Sequence, residues 1–147
     1  MLAARDLPEL RLVPGRAVVR LPPDDNVALT PRVQAIVNHP AFQRLRQVRQ
    51  LGPTSLVYPG AVHTRFEHSL GVFHTATEYL GYLLEVSSFA ERVNAQDVLT
   101  VLAAALLHDL GHYSMAHSLE ALHLKGNDTP RHEDVAAQII NGDLEQW

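Results

Sequence analysis

The chain has no cysteine among its 147 residues. That excludes disulfides, iron–sulfur clusters and thiolate zinc sites, so any metal must be held by His, Asp or Glu. A membrane-length apolar run is also missing: the longest, Val98 to Leu107 with Thr100 inside it, is roughly half a span. No targeting segment is visible, because Met1-Leu2-Ala3-Ala4-Arg5-Asp6 turns charged too early for a signal peptide. A cytoplasmic location with no membrane partner is therefore the expectation. Charge of one sign is scarce as well. The net charge of −4 argues against a general nucleic-acid binder, although Arg44, Arg46 and Arg49 form a local basic stripe. Internal repeats and low-complexity tracts are absent.

What remains is an ordinary globular composition, 46% hydrophobic and 19% charged, in a chain long enough to bury one core and too short for two. Nine histidines are the oddity, and most fall between His63 and His132.

The pattern predicts an all-α fold of five or six helices in one domain over residues 30–147, preceded by an irregular segment, 1–29. Pro8, Pro14, Pro22 and Pro23 interrupt that segment, and Arg16–Arg20 is at best one short strand. Thr30 before Pro31 reads as an N-cap with proline at the first helical position. A second helix is expected over Ala41–Leu51, from Phe42, Leu45 and Val48, and Ser55–Gly60 reads as an extended connector. Thr64-Arg65-Phe66-Glu67 matches a capping box. The long helix it opens has Leu70, Val72, Phe73, Ala76, Tyr79, Leu80 and Leu83 as its apolar side. Asn94 caps a further helix that runs through Val98 and Leu102 to His108-Asp109, where Gly111 breaks it. A short helix is expected around Ser114–Leu124. Another begins at Thr129-Pro130 and stops at Gly142, and Asp143-Leu144-Glu145 reads as the start of one more.

Chemistry concentrates at Leu107-His108-Asp109-Leu110-Gly111-His112. Imidazole with carboxylate is a ligand set for catalytic transition metals, and an Asp directly after an apolar run needs its charge offset. Neighbouring helical residues point about 100° apart, so His108 and Asp109 can share one ion only at a helix end or between helices. A bare His-Asp pair is equally consistent with a capped terminus. The second cluster, His63 to His68, opens another helix. There Arg65 suits a phosphate, or else pairs with Glu67 or Glu91 at the surface. Arg65 and His117 are expected to serve chemistry and to be dispensable for stability. Histidines near such an ion, His112, His117 and His132, can act as acid or base near neutral pH. His39, His74 and His123 read as structural or exposed.

Three blocks carry a resemblance. They are Phe42 to Gly52, Tyr58 to Gly71 and His108 to His112, joined by Met115-Ala116-His117 and Arg131-His132-Glu133. Over about residues 31 to 140 the chain resembles the HD-domain metal-dependent phosphohydrolases, and among them the deoxynucleoside triphosphate triphosphohydrolase branch. The resemblance implies a nucleotide substrate and His68, His108 and Asp109 as metal ligands, with Mn, Fe, Co, Ni or Zn favoured and Mg admitted. It implies Arg65 as the phosphate contact, His112 and His117 as active-site histidines with His117 the general acid, and His132 on the phosphate side. Gln50 and Leu51 correspond to residues that contact sugar and base.

Three departures stand beside it. The family's last aspartate lies beyond the point where this chain stops, and Asp128, Asp134 and Asp143 lack a matching context, so the helical bundle reads as truncated at its C-terminus. Pro22-Pro23-Asp24-Asp25-Asn26 replaces the family's D-P-x-H-G stretch. Asn38 stands where some relatives carry an acidic guanine-reading residue. These departures set two alternatives beside triphosphohydrolase activity. One is a truncated or degenerate module that binds nucleotide or a protein partner without turnover. The other is a phosphohydrolase of a guanosine alarmone or a 5′-mononucleotide. Weak turnover in this chain, and a homo-oligomer covering an exposed apolar face, are the corresponding expectations.

Overall fold

The computed structural model describes residues 3–11, 17–21, 25–115 and 130–142. Two turns of 3₁₀ helix, Ala4–Asp6 and Pro8–Leu10, precede strands β1 (Ala17–Leu21) and β2 (Asp25–Leu29). Helices α1 (Pro31–Asn38) and α2 (Pro40–Gln43) follow, then 3₁₀ turns Arg44–Gln47 and Gly52–Leu56. The remaining helices are α3 (Arg65–Glu85), α4 (Ser87–Ala90), α5 (Ala95–Leu107) and α6 (His132–Gly142). Helices dominate the described residues, as the apolar periodicity predicts.

The chain divides into two compact units. The first comprises Met1–Gln34 and Ser69–Leu106, so the N-terminal residues cluster with the body of α3, with α4 and with α5. Residues 17–29 are more ordered than the prolines suggest. β1 and β2 pair antiparallel with Val19 opposite Val27, and Leu21, Val27 and Leu29 are buried. Five-residue strands carry too little alternation to outweigh Pro22-Pro23 in a reading by pattern. Leu7, Val33, Leu70, Phe73, Leu80, Leu84, Val98, Leu102 and Leu106 are buried as well. Tyr79 and Leu83, expected on the apolar side of α3, are exposed, because the stripe follows 70, 73, 80 and 84 around the helix. Glu9 is buried and accepts from the Thr30 hydroxyl at 2.9 Å and from Arg32 at 3.3 Å. Thr30 Oγ1 in turn accepts from the Val33 amide, which is the expected N-cap. Asn94 and Asp97 cap each other's amides at the start of α5.

The second unit comprises Ala35–His68 and Leu107–Trp147. The predicted helix over Ala41–Leu51 breaks into α2, a 3₁₀ turn and an extended Val48. His39 Nδ1 caps α2 by accepting from the Ala41 amide. The break has a long-range cause. The Arg65 amide donates to Val48 O at 2.8 Å and the Gln50 amide to His63 O at 3.1 Å, which makes an antiparallel bridge between Arg49 and Thr64. Backbone groups spent on that bridge cannot continue a helix. The connector expected to be extended, Ser55–Gly60, begins inside the 3₁₀ turn Gly52–Leu56. Phe42, Leu45, Val48, Phe66 and Leu110 are buried, with Phe42 edge-on to Phe66 at 5.4 Å. Most of the expected helix Ser114–Leu124, and the start at Asp143, lie outside the described residues.

Candidate metal centre

All the described candidate residues belong to the second unit. His68 sits in the first turn of α3, whose start is fixed by the reciprocal box predicted from sequence. The Thr64 amide donates to Glu67 Oε2 at 2.7 Å, and the Glu67 amide to Thr64 Oγ1 at 3.3 Å. His108 and Asp109 lie in the tight turn that ends α5. There the Leu110 amide donates to Leu107 O at 2.9 Å and the His112 amide to Asp109 O at 3.0 Å. At this helix end the ligating atoms of both side chains come within reach of one point.

His68, His108 and Asp109 offer ligating atoms within 4.8 Å of one another. The two imidazole Nε2 atoms are 3.3 Å apart, with ring planes at 71°. Asp109 is 4% exposed, and its carboxylate is surrounded. Oδ2 accepts from Arg65 Nη1 at 2.9 Å and lies 3.9 Å from His68 Nε2. Oδ1 lies 3.2 Å from His112 Nδ1 and 3.5 Å from His108 Nε2. Two partly exposed imidazoles beside a buried carboxylate fit a borderline divalent ion with positions left open to solvent. Burial, more than the surrounding charges, lowers the His68 pKa below its usual 6.5 and favours the neutral imidazole a metal requires.

Arg65 departs from expectation. It is 4% exposed and paired to Asp109, not a surface group bound to Glu67 or Glu91. Its Nε is buried without a hydrogen-bond partner among the described residues, as is Gln50 Oε1. The expectation that Arg65 is dispensable for stability therefore loses its premise, since removing it would leave a buried carboxylate without its guanidinium. His112 is 2% exposed, and its ring lies 3.8 Å from that of His132 at the start of α6. Leu51 is half exposed. His117 lies outside the described residues.

Two contributions to the site were not legible from the sequence: the space that Gly111 leaves and the hold of Arg44 on the turn. Gly111 matters for space: a Cβ there would collide with His132 O and lie 2.5 Å from the Ala136 amide nitrogen, so glycine lets the first turn of α6 close on the turn. Arg44, read from sequence only as part of a basic stripe, donates to Leu110 O at 2.7 Å and His112 O at 2.8 Å. An open cleft of about 560 Å³ in the first unit, lined by Val27, Phe73, His74, Glu78 and Tyr82 among others, contains none of the candidate residues. No helix among the described residues is long and apolar enough to cross a membrane.

The family model described as HD domain matches residues 65–147, which contain His68, His108 and Asp109. The chain belongs to the HD domain family. This HD chain is 38% identical over 124 residues to the deoxynucleoside triphosphate triphosphohydrolase SAMHD1 of Danio rerio, covering 79% of the chain and 19% of that protein. It is 41% identical over 103 residues to the Homo sapiens protein of the same name, covering 70% and 16%. An uncharacterized protein of Methanocaldococcus jannaschii is 48% identical over 85 residues, covering 58% and 16%. Among solved structures, a phosphohydrolase from Bacteroides thetaiotaomicron superposes with a TM-score of 0.76 at 33% identity, covering 89% of this chain and 31% of that one. The HD chain thus spans about a fifth of the length of the first of these curated relatives.

Proposed function

We propose that this chain is the metal-binding part of a nucleotide phosphohydrolase, with deoxynucleoside triphosphates as the leading substrate class. The observation that carries the reading is the convergence of His68, His108 and Asp109 from two separate segments within 4.8 Å. A divalent ion held by these three residues supplies Lewis acidity toward a phosphoryl group. Mn, Fe, Co, Ni or Zn suits two imidazoles and a carboxylate better than Mg.

The chain's own residues take the other roles. Arg65 shares Asp109 Oδ2 with any ion bound there, and with that carboxylate engaged elsewhere its guanidinium becomes a donor for phosphate oxygens. The buried Nε of Arg65 and Oε1 of Gln50, neither with a partner among the described residues, support a ligand offering both acceptors and donors, such as a phosphate on a sugar. Gln50 and Leu51 would contact that sugar and its base. His112 and His132 form a close pair with rings tilted by 38°, His112 beside Asp109, suited to moving a proton near neutral pH, and His117 remains the leading general acid. The names of the relatives support the triphosphate choice.

The test is hydrolysis of a nucleotide panel by the protein with Mn or Co, with products separated by chromatography. Triphosphate release from deoxynucleoside triphosphates, lost in His108→Ala, is the expected result. Metal and nucleotide uptake without turnover would replace the proposal by a binding module. Cleavage of only an alarmone or a monophosphate would move the substrate class. Self-association belongs to the same proposal and is supported by the consecutive exposed side chains of Leu56, Val57 and Tyr58. Light scattering that shows a clean monomer would remove it.

A further inference from the structure

The geometry points to Arg44 as a positioning residue for the metal centre, one that acts by clamping the turn carrying Asp109. This inference rests on the metal-site reading above.

The ligands come from two segments with different anchors. His68 belongs to α3, whose start is pinned by the Thr64–Glu67 box and by the bridge between Arg49 and Thr64. His108 and Asp109 belong to a turn closed by two backbone hydrogen bonds. Such a turn is easily deformed, and its shape sets where the Asp109 carboxylate stands relative to His68 Nε2, 3.9 Å away.

Arg44 restrains that shape from outside. Its Nη2 donates to Leu110 O at 2.7 Å and its Nη1 to His112 O at 2.8 Å, so one planar guanidinium spans the carbonyls on either side of Gly111. The base of the clamp is rigid. Arg44 opens a 3₁₀ turn, its amide is bonded to Pro40 and Phe42 carbonyls, and Phe42 and Leu45 beside it are fully buried. A guanidinium presents two donors in a fixed fork, whereas an ammonium is a single mobile point. Lysine could hold one carbonyl and not both at this geometry. The residue touches neither candidate ligand side chain, so its effect passes through the backbone to Asp109 and His112. Outer groups that orient metal ligands commonly change affinity by about ten- to a hundredfold when removed.

The test compares Arg44→Ala and Arg44→Lys with Arg46→Ala. Arg46 neighbours Arg44 in the same 3₁₀ turn, packs over Phe66 at 3.7 Å and bonds Gln43, but makes no bond to the Leu110–His112 turn. Each protein is titrated with Co(II), followed by calorimetry and by the visible absorption band, which reports coordination geometry. Amide hydrogen exchange at His112 is measured on the metal-free protein. Arg44→Ala is expected to weaken Co(II) binding about tenfold or more and to shift the band. His112 exchange should quicken, while the unfolding temperature changes no more than in Arg46→Ala. Arg44→Lys should fall between, and Arg46→Ala should bind Co(II) as the wild type does. Should Arg44→Ala fail to fold, Arg44→Lys against Arg46→Ala makes the same comparison. Unchanged affinity and spectrum in the Arg44 variants would overturn the inference, as would an equal loss in Arg46→Ala. If the wild type takes up no Co(II), the metal-site reading fails, and the clamp is then judged by His112 exchange alone, which must still quicken without Arg44.

Discussion

In the first unit the buried Glu9 and Thr30 bond each other, and apart from the small hydroxyl of Ser69 the rest of the buried set is apolar and uncharged, Leu, Val, Phe and Ala. The second unit buries a carboxylate, a guanidinium and an imidazole side by side among Phe42, Leu45, Phe66 and Leu110. The Glu9–Thr30 pair is self-sufficient, since each of its two groups serves to fasten one segment to another. The second unit's cluster is costly alone, because desolvated charges rarely repay their burial through mutual attraction. A region that keeps such a cluster is built around something the cluster does. On the function proposed above, the difference separates a part of the chain that supplies stability from a part that supplies chemistry.

Substitutions can break or sharpen that contrast. Phe73→Ala, in the first unit, should cost the most, about 3–5 kcal/mol for a truncated core aromatic. Denaturant unfolding checks this, and the fraction that remains folded should still bind metal. Gly111→Ala should cost roughly 3 kcal/mol, because the added methyl meets backbone of α6 and not a movable side chain. It should lower metal affinity at the same time, a pairing that Phe73→Ala does not show.

Arg65→Ala should destabilise the metal-free protein by about 3 kcal/mol, by leaving Asp109 buried without its guanidinium. Excess Mn(II) should recover part of that loss, since an ion offsets the same carboxylate. The double variant Arg65→Met/Asp109→Leu would give the second unit an interior like that of the first. It should recover stability toward wild type while losing metal uptake, and a double variant less stable than Arg65→Ala would contradict the contrast.

The smallest effect is pH-dependent. Burial holds the His68 pKa below 6.5 in the folded protein, so the unfolded chain takes the proton first as pH falls. His68 therefore adds no penalty above that value. Stability declines as pH drops through 6.5 and levels off below the folded-state pKa. Urea midpoints taken between about pH 8 and pH 5 should fall less steeply in His68→Gln than in wild type.

Legibility from sequence followed the range of the interactions. The caps at Thr30, Thr64 and Asn94 were readable because donor and acceptor are three residues apart. The candidate triad was readable from two clusters and a terminating glycine, and the start of α3 and the end of α5 bring His68, His108 and Asp109 together. The break after Gln43 was not readable, since its cause is pairing between Val48–Gln50 and His63–Arg65. Burial of Arg65 and the grip of Arg44 on Leu110 and His112 depend on tertiary contacts across 44 and 66 residues of sequence, which no local pattern records. The tilt of the α3 stripe away from Tyr79 and Leu83 depends equally on what packs there.

The bridge between Arg49 and Thr64 has a consequence for how the chain can change. It closes the segment from Leu51 to Val62 as a loop with both ends fastened by main-chain bonds that do not depend on side-chain identity. Lengthening such a loop costs only about 0.6 kcal/mol per doubling of its length. Insertions between Leu56 and Ala61 should therefore leave Gln50 and Arg65 where they are. The loop is an exchangeable cassette, free to vary in length and contour while the anchoring residues keep their spacing.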